Sequence, residues 1–148
     1  MSTDRVVVAG DKKADKVSIT IAVAKKTIAN LLCCGFEGGI GYWCPRQPFK
    51  YVEPGEWQPI MDTGEEDPER WEMYDYPLLA GGAVIFKADD GTGKVKKCRL
   101  DLDTIQKGLE LMASKYPHHF GDVINGSEDA TTGDVFIQLC AFGEVVYG

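Results

Sequence analysis

Six of the seven prolines, at positions 45, 48, 54, 59, 68 and 77, fall between residues 44 and 80. Each removes an amide donor and pushes its predecessor out of the helical region, so no long helix or central strand can run through this stretch. The core must be built mainly from what flanks it. The stretch is nonetheless rich in apolar area, with Phe49, Tyr51, Val52, Trp57, Ile60, Trp71, Met73, Tyr74 and Tyr76. It therefore reads as a long irregular excursion that packs back onto the domain, with one helical turn over residues 69–74.

A chain of 148 residues with 44% hydrophobic content can bury one core and is short for two. The expected organisation is an amino-terminal extension over residues 1–16, mobile or forming a short strand, followed by a single domain over 17–148. No apolar run approaches the roughly 20 residues that span a bilayer, and the MSTDR start lacks the apolar segment of a secretory signal. The five cysteines, at 33, 34, 44, 98 and 140, are an odd number in a chain that needs no staples. Reduced thiols and a cytoplasmic location follow as expectations.

Hydrophobic spacing supplies the elements. Val17, Ile19, Ile21 and Val23 alternate with Ser18, Thr20 and Ala22, the period of a strand with one face buried. Val6–Val8 can pair with it as a hairpin. Ile28, Leu31 and Leu32 share a helical face, and Gly35 is placed to end that helix in a left-handed conformation. Residues 81–87 and 94–100 read as strands joined by Ala88-Asp89-Asp90-Gly91-Thr92-Gly93. Asp101 or Asp103 can cap a helix whose stripe is Leu102, Ile105, Leu109, Met112 and Tyr116, stopping before Pro117. A short helical segment ends near Asn125-Gly126. Asp129 or Thr132 can start a last helix facing the core with Val135, Phe136, Leu139, Phe142 and Val146, with Gly143 a weak place in it. The fold class predicted is α+β, a small antiparallel sheet covered by two or three helices.

The net charge of -7 is concentrated, not spread. Residues 53–76 hold nine acids against the single Arg70, while the rest of the chain is nearly neutral. Glu65, Glu66, Asp67, Glu69 and Glu72 form a candidate acidic surface that would repel nucleic-acid phosphates and attract a basic protein surface. A solvated, solubilising loop is the plainer reading. Lys94, Lys96, Lys97 and Arg99 are basic, but in an acidic chain with no nucleic-acid module they read as a polar sheet face.

The densest mixture of charge, ring surface and flexible backbone is Phe36-Glu37-Gly38-Gly39-Ile40-Gly41-Tyr42-Trp43. Glu37 beside two glycine amides, with Tyr42 and Trp43 as an aromatic wall, makes Phe36, Glu37, Gly38, Gly39, Tyr42 and Trp43 the candidate ligand or partner contact. The alternative is that Glu37 stiffens its own bend while the rings enter the core. His118 and His119 are the only histidines, and a metal site there would need further donors from Asp134, Glu144 or a cysteine, so no metal or cofactor is expected. The cysteine spacing fits neither a redox pair nor a zinc site. Gly93-Lys94 lacks the flanking residues of a phosphate loop, since Ala88 and Val95 stand where glycine and a hydroxyl residue belong.

Through FEGGIGYW, YPHHFGD and TGDVFIQLCAFGEVVYG, the sequence resembles small proteins encoded by bacteriophages and prophages, over residues 17–148. No established activity attaches to that group. The resemblance implies expression in the cytoplasm of a bacterial host and an accessory protein that binds a host component, without identifying an anti-defence role. The local acidic excess, the ring-bearing FEGG bend and the absence of an assembled catalytic signature give the leading reading, a non-catalytic accessory protein that binds a host protein or complex, interference with host defence being one such role. The alternatives are a protein that binds or sequesters a small molecule such as a nucleotide, and a small metal-dependent hydrolase or transferase. Neither membrane nor nucleic-acid binding is expected, and the aromatic surplus leaves homo-oligomerisation open.

Overall fold

The computed structural model describes residues 5–6, 15–44, 50–52, 73–79 and 81–148. Along the chain the elements are β1 (Arg5–Val6), β2 (Val17–Ser18), α1 (Lys25–Cys34), a π-helical turn (Gly35–Gly39), β3 (Lys50–Val52), a 3-10 turn (Met73–Leu78), β4 (Ala83–Asp89), β5 (Val95–Leu100), α2 (Leu102–Lys115), α3 (Pro117–Asn125) and α4 (Ala130–Phe142). β1 and β2 pair antiparallel, and β3, β4 and β5 form a second antiparallel sheet with β4 in the middle. This is an α+β fold, a small antiparallel sheet covered by helices. The acidic candidates Glu65, Glu66, Asp67, Glu69 and Glu72 lie outside the described residues, as does most of the proline-rich excursion. No helix among the described residues is long and apolar enough to cross a membrane.

Local chemistry explains where the later elements begin and end. Asp101 accepts the Thr104 amide at 3.0 Å while the Thr104 hydroxyl accepts the Asp101 amide at 2.8 Å, a reciprocal capping box that starts α2. Pro117 occupies the first position of α3, where its missing N–H costs nothing, and Gly126 closes that helix at φ 72°. Asp129 caps α4 by accepting the Thr132 amide at 2.9 Å. In the β4–β5 hairpin, Phe86 faces Cys98, and Val84, Phe86, Ala88, Cys98 and Leu100 are buried beneath the helices. Lys97 and Arg99 point the other way, as alternation requires.

Helix α4 is the centre of the molecule: every residue from Thr132 to Cys140 is buried. α1 with its π-helical turn, α2 and β5 all pack on it. A helix enclosed on all sides presents no single apolar stripe, so the polar Thr132, Asp134 and Gln138 enter the core with Phe136 and Ile137 and must find partners there.

Four expectations need correction. Only Val17 and Ser18 of the alternating segment pair, and its apolar face is not buried: Val17, Ile19 and Ile21 are 61%, 66% and 50% exposed. Two-residue alternation determines which side chains share a face, whereas burial requires a second layer that the described fold does not place there. Gly35 does not end α1; at φ -69° it stays right-handed and the chain continues as the π turn. Leu102 is 44% exposed because it opens α2 at the rim instead of lying on the stripe. Gly143, at φ 74°, stops α4 outright, so Val146 lies beyond the helix.

Candidate functional site

The π turn exists because α1 and α4 touch backbone to backbone. A β-carbon at Gly35 would lie 2.9 Å from the Gly133 carbonyl oxygen, and one at Gly39 would overlap the Ala130 carbonyl and stand 3.1 Å from the Asp134 β-carbon. Only glycine permits that approach, and the widened turn carries the chain along α4 at this separation. Its consequence is positional: the turn delivers Tyr42 and Trp43 to Asp134.

The Trp43 indole donates to Asp134 Oδ1 at 2.6 Å, the Tyr42 hydroxyl to Asp134 Oδ2 at 2.7 Å, and the Gln138 amide to Asp134 Oδ1 at 2.9 Å. Asp134 is 7% exposed, and the ion pair seen among the described residues lies elsewhere, between Arg99 and Asp101. Three neutral donors therefore offset the desolvation of this carboxylate, satisfying both oxygens. Tyr42 keeps its ring exposed, but desolvation of its hydroxyl and the bond to Asp134 push the phenol pKa up to about 12. Trp43 is buried, stacked on Tyr147 with centroids 5.2 Å apart and planes 3° from parallel.

The other half of the stretch faces the sheet. Phe36 stacks on Tyr74 at 6.0 Å and meets Phe86 edge-on at 5.7 Å, while exposed Glu37 accepts the Tyr74 hydroxyl at 2.6 Å. Phe36, Glu37, Gly38, Gly39, Tyr42 and Trp43 are thus divided between two internal networks. They do not line one pocket: the indole wall is covered by Tyr147, Gly39 is buried against α4, and Gly38 is exposed beside Ala130.

Asp134 and Gln138 are the residues that sequence reasoning did not place here. The signal was present, since two polar residues four apart interrupt an otherwise apolar run and must share a helical face. Asp134 stood only as a donor for a histidine metal site, and its oxygens are engaged by Tyr42, Trp43 and Gln138. His119 is half-buried on α3 beside Tyr116. Among the described residues no three His, Cys, Asp or Glu side chains converge to hold a metal.

Burial disfavours the thiolate at Cys33, Cys34, Cys98 and Cys140. Burial, and then Glu37, raises the Cys33 pKa; burial, Cys33, Glu128 and Asp129 raise that of Cys34. Burial pushes Cys98 up to about 11 and Cys140 higher still. The β4–β5 turn, already lacking the residues of a phosphate loop, has its amides filled from within: Asp89 Oδ1 accepts from Gly91 at 2.8 Å and Gly93 at 3.1 Å, and Asp90 accepts from Thr92 at 3.0 Å. An open cleft of about 370 Å³ lies between the start of β4 and the start of α2, where Arg99 is accompanied by Asp101 and Asp103 and no ring. There the Arg99 guanidinium is paired with the Asp101 carboxylate at 3.0 Å.

Compared with known proteins, the chain matches no family model, no curated protein and no solved structure.

Proposed function

We propose that this chain is a non-catalytic accessory protein of bacteriophage type that works in the bacterial host cytoplasm by binding a host protein or complex, an interaction suited to interfering with host defence. One observation carries the reading. Val17, Ile19 and Ile21 stand 61%, 66% and 50% exposed on a segment whose strand pairing ends at Ser18. An alternating apolar face on extended backbone is what strand addition uses, with main-chain bonds giving affinity and alternate side chains giving selectivity. The Phe36–Trp43 stretch supports the same reading indirectly, because its indole, phenol and carboxylate groups are each held by a hydrogen bond within the chain, the indole buried and the Tyr42 ring and Glu37 at the surface.

The test compares tagged wild type with the double variant I19D/I21D, recovered gently from host lysate and weighed by native mass spectrometry. The reading expects a stoichiometric host protein on the wild type that is absent from the variant at unchanged thermal stability. Equal retention by both would remove the strand surface. A repeated extra mass of small-molecule size on both would replace protein binding with ligand sequestration.

A further inference from the structure

Beyond Gly143 the chain folds back along α4, and the way it is held differs from ordinary core packing. The carboxamide of Gln138, wholly buried, is bonded almost entirely to the backbone of one dipeptide. Its Oε1 accepts the amides of Val146 and Tyr147, both at 2.8 Å, and its Nε2 donates to the Tyr147 carbonyl at 3.2 Å as well as to Asp134. The Tyr147 ring lies flat on Trp43, and its hydroxyl donates to the Asp89 carbonyl at 2.6 Å.

A single amide thus engages main-chain groups, an indole receives a ring, and a carbonyl receives the hydroxyl at its tip. Main-chain bonds combined with a pocket for one side chain are how receptor sites take extended peptides. The groups doing the recognising come from three elements other than the segment itself: Trp43 from the turn after the π segment, Asp89 from the end of β4, and Gln138 from α4. The segment leaves α4 through exposed Gly143, whose left-handed backbone turns the chain, and it includes exposed Glu144 and Gly148.

We infer that Trp43, Asp89 and Gln138 form a peptide-binding groove, closed in this chain by residues 144–148 acting as a removable strap. Its ligand is an extended segment of another polypeptide in which a branched aliphatic residue precedes a tyrosine. The groove is a different surface from the exposed strand at 17–21, and its affinity for a peptide does not depend on the function proposed above.

The probe is the synthetic peptide Glu-Val-Val-Tyr-Gly, added to the full chain carrying Y147A, with the Trp43 indole N–H and Gln138 amide signals followed by NMR. Saturable shifts are expected, weaker by about tenfold or more with an alanine in place of the peptide tyrosine, and weaker again on wild type, where the strap competes. A folded Y147A chain that shows no shift at millimolar peptide, or responds equally to the alanine peptide, would overturn the inference. Should Y147A fail to fold, hydrogen exchange in the wild type decides. A removable strap requires the Val146 and Tyr147 amides to exchange about 100-fold or more faster than those of Phe136 and Ile137, by local opening. Equal rates would make the segment part of the core and end the proposal. A wild-type dimer that dissociates on Y147A substitution would also overturn it, assigning the groove to exchange between copies.

Discussion

A β-carbon on Gly133 would stand 2.7 Å from the α-carbon of Gly35 and 2.9 Å from the Leu31 carbonyl oxygen. The obstruction is backbone on both sides, so no side chain can swing away to relieve it. G133A is expected to destabilise the protein by about 3 kcal/mol or more, at the upper end of overpacking effects. G121A, at a helical glycine with open space around it, serves as the control. Urea unfolding of the two variants checks this, and equal midpoints would show that the two backbones are not in contact.

The Asp134 network separates two substitutions of similar size. In D134A the Trp43 and Gln138 donors lose their acceptor inside the core, a loss of about 2–4 kcal/mol for groups of this kind. In D134N the remaining oxygen can serve Trp43 and Gln138 while the new amide donates to the Tyr42 hydroxyl, so a cost of about 1 kcal/mol is expected. Removing the carboxylate should also let the Tyr42 pKa fall from about 12 toward the usual phenol value near 10. Titration of the Tyr42 ring signals reports that shift, and an unmoved pKa in D134A would show that burial alone sets it.

Acid should weaken the helix starts. Burial pulls the Asp101 carboxyl up, but the Thr104 amide and Arg99 outweigh it; the Thr132 amide and hydroxyl draw Asp129 down. Both titrate lower in the folded chain than in the unfolded one, where an aspartate sits near about 3.9. Their contribution is therefore complete above that value and is lost as pH falls through the lower folded pKa values. D101N/D129N, which retains cap acceptors, should flatten this part of the acid limb in urea midpoints measured below about pH 4. An acid limb identical to wild type would assign the loss to other carboxylates.

Thiol reagents should find little to attack. With every shifted cysteine pKa raised, the thiolate that reacts is scarce at neutral pH. Half-buried Cys33 and Cys34 should label slowly and faster with rising pH, while buried Cys44, Cys98 and Cys140 should label only on unfolding. Mass spectrometry of the labelled chain with time checks the order. Rapid labelling of Cys34 at neutral pH would show its thiol to be activated in spite of its burial.

What the sequence disclosed and what it withheld divide along a physical line. Asp101, Pro117, Gly126 and Asp129 act on backbone within a few residues of themselves, and the elements they bound were readable in order. The π turn was not, because it depends on Gly35 and Gly39 meeting Gly133 and Ala130, on the far side of the chain. The partners of Tyr42 and Trp43 were hidden for the same reason, lying 92 and 91 positions away at Asp134. Of the alternating segment only Val17 and Ser18 form a strand, and nothing described covers Val17, Ile19 and Ile21, since alternation orders side chains without supplying what packs on them.

Helix α4 comes after every other element described, yet α1 with its π turn, α2 and β5 close on it. During synthesis α1, β5 and α2 leave the ribosome with their inward faces, among them Leu31, Leu32, Leu100 and Met112, lacking this partner until Thr132–Cys140 emerges. Pairing across such separations is slow, and the waiting chain exposes apolar surface meanwhile. The yield of this protein in a cell should therefore be governed by how quickly translation completes residues 130–142 and by which chaperones hold the earlier ones until then.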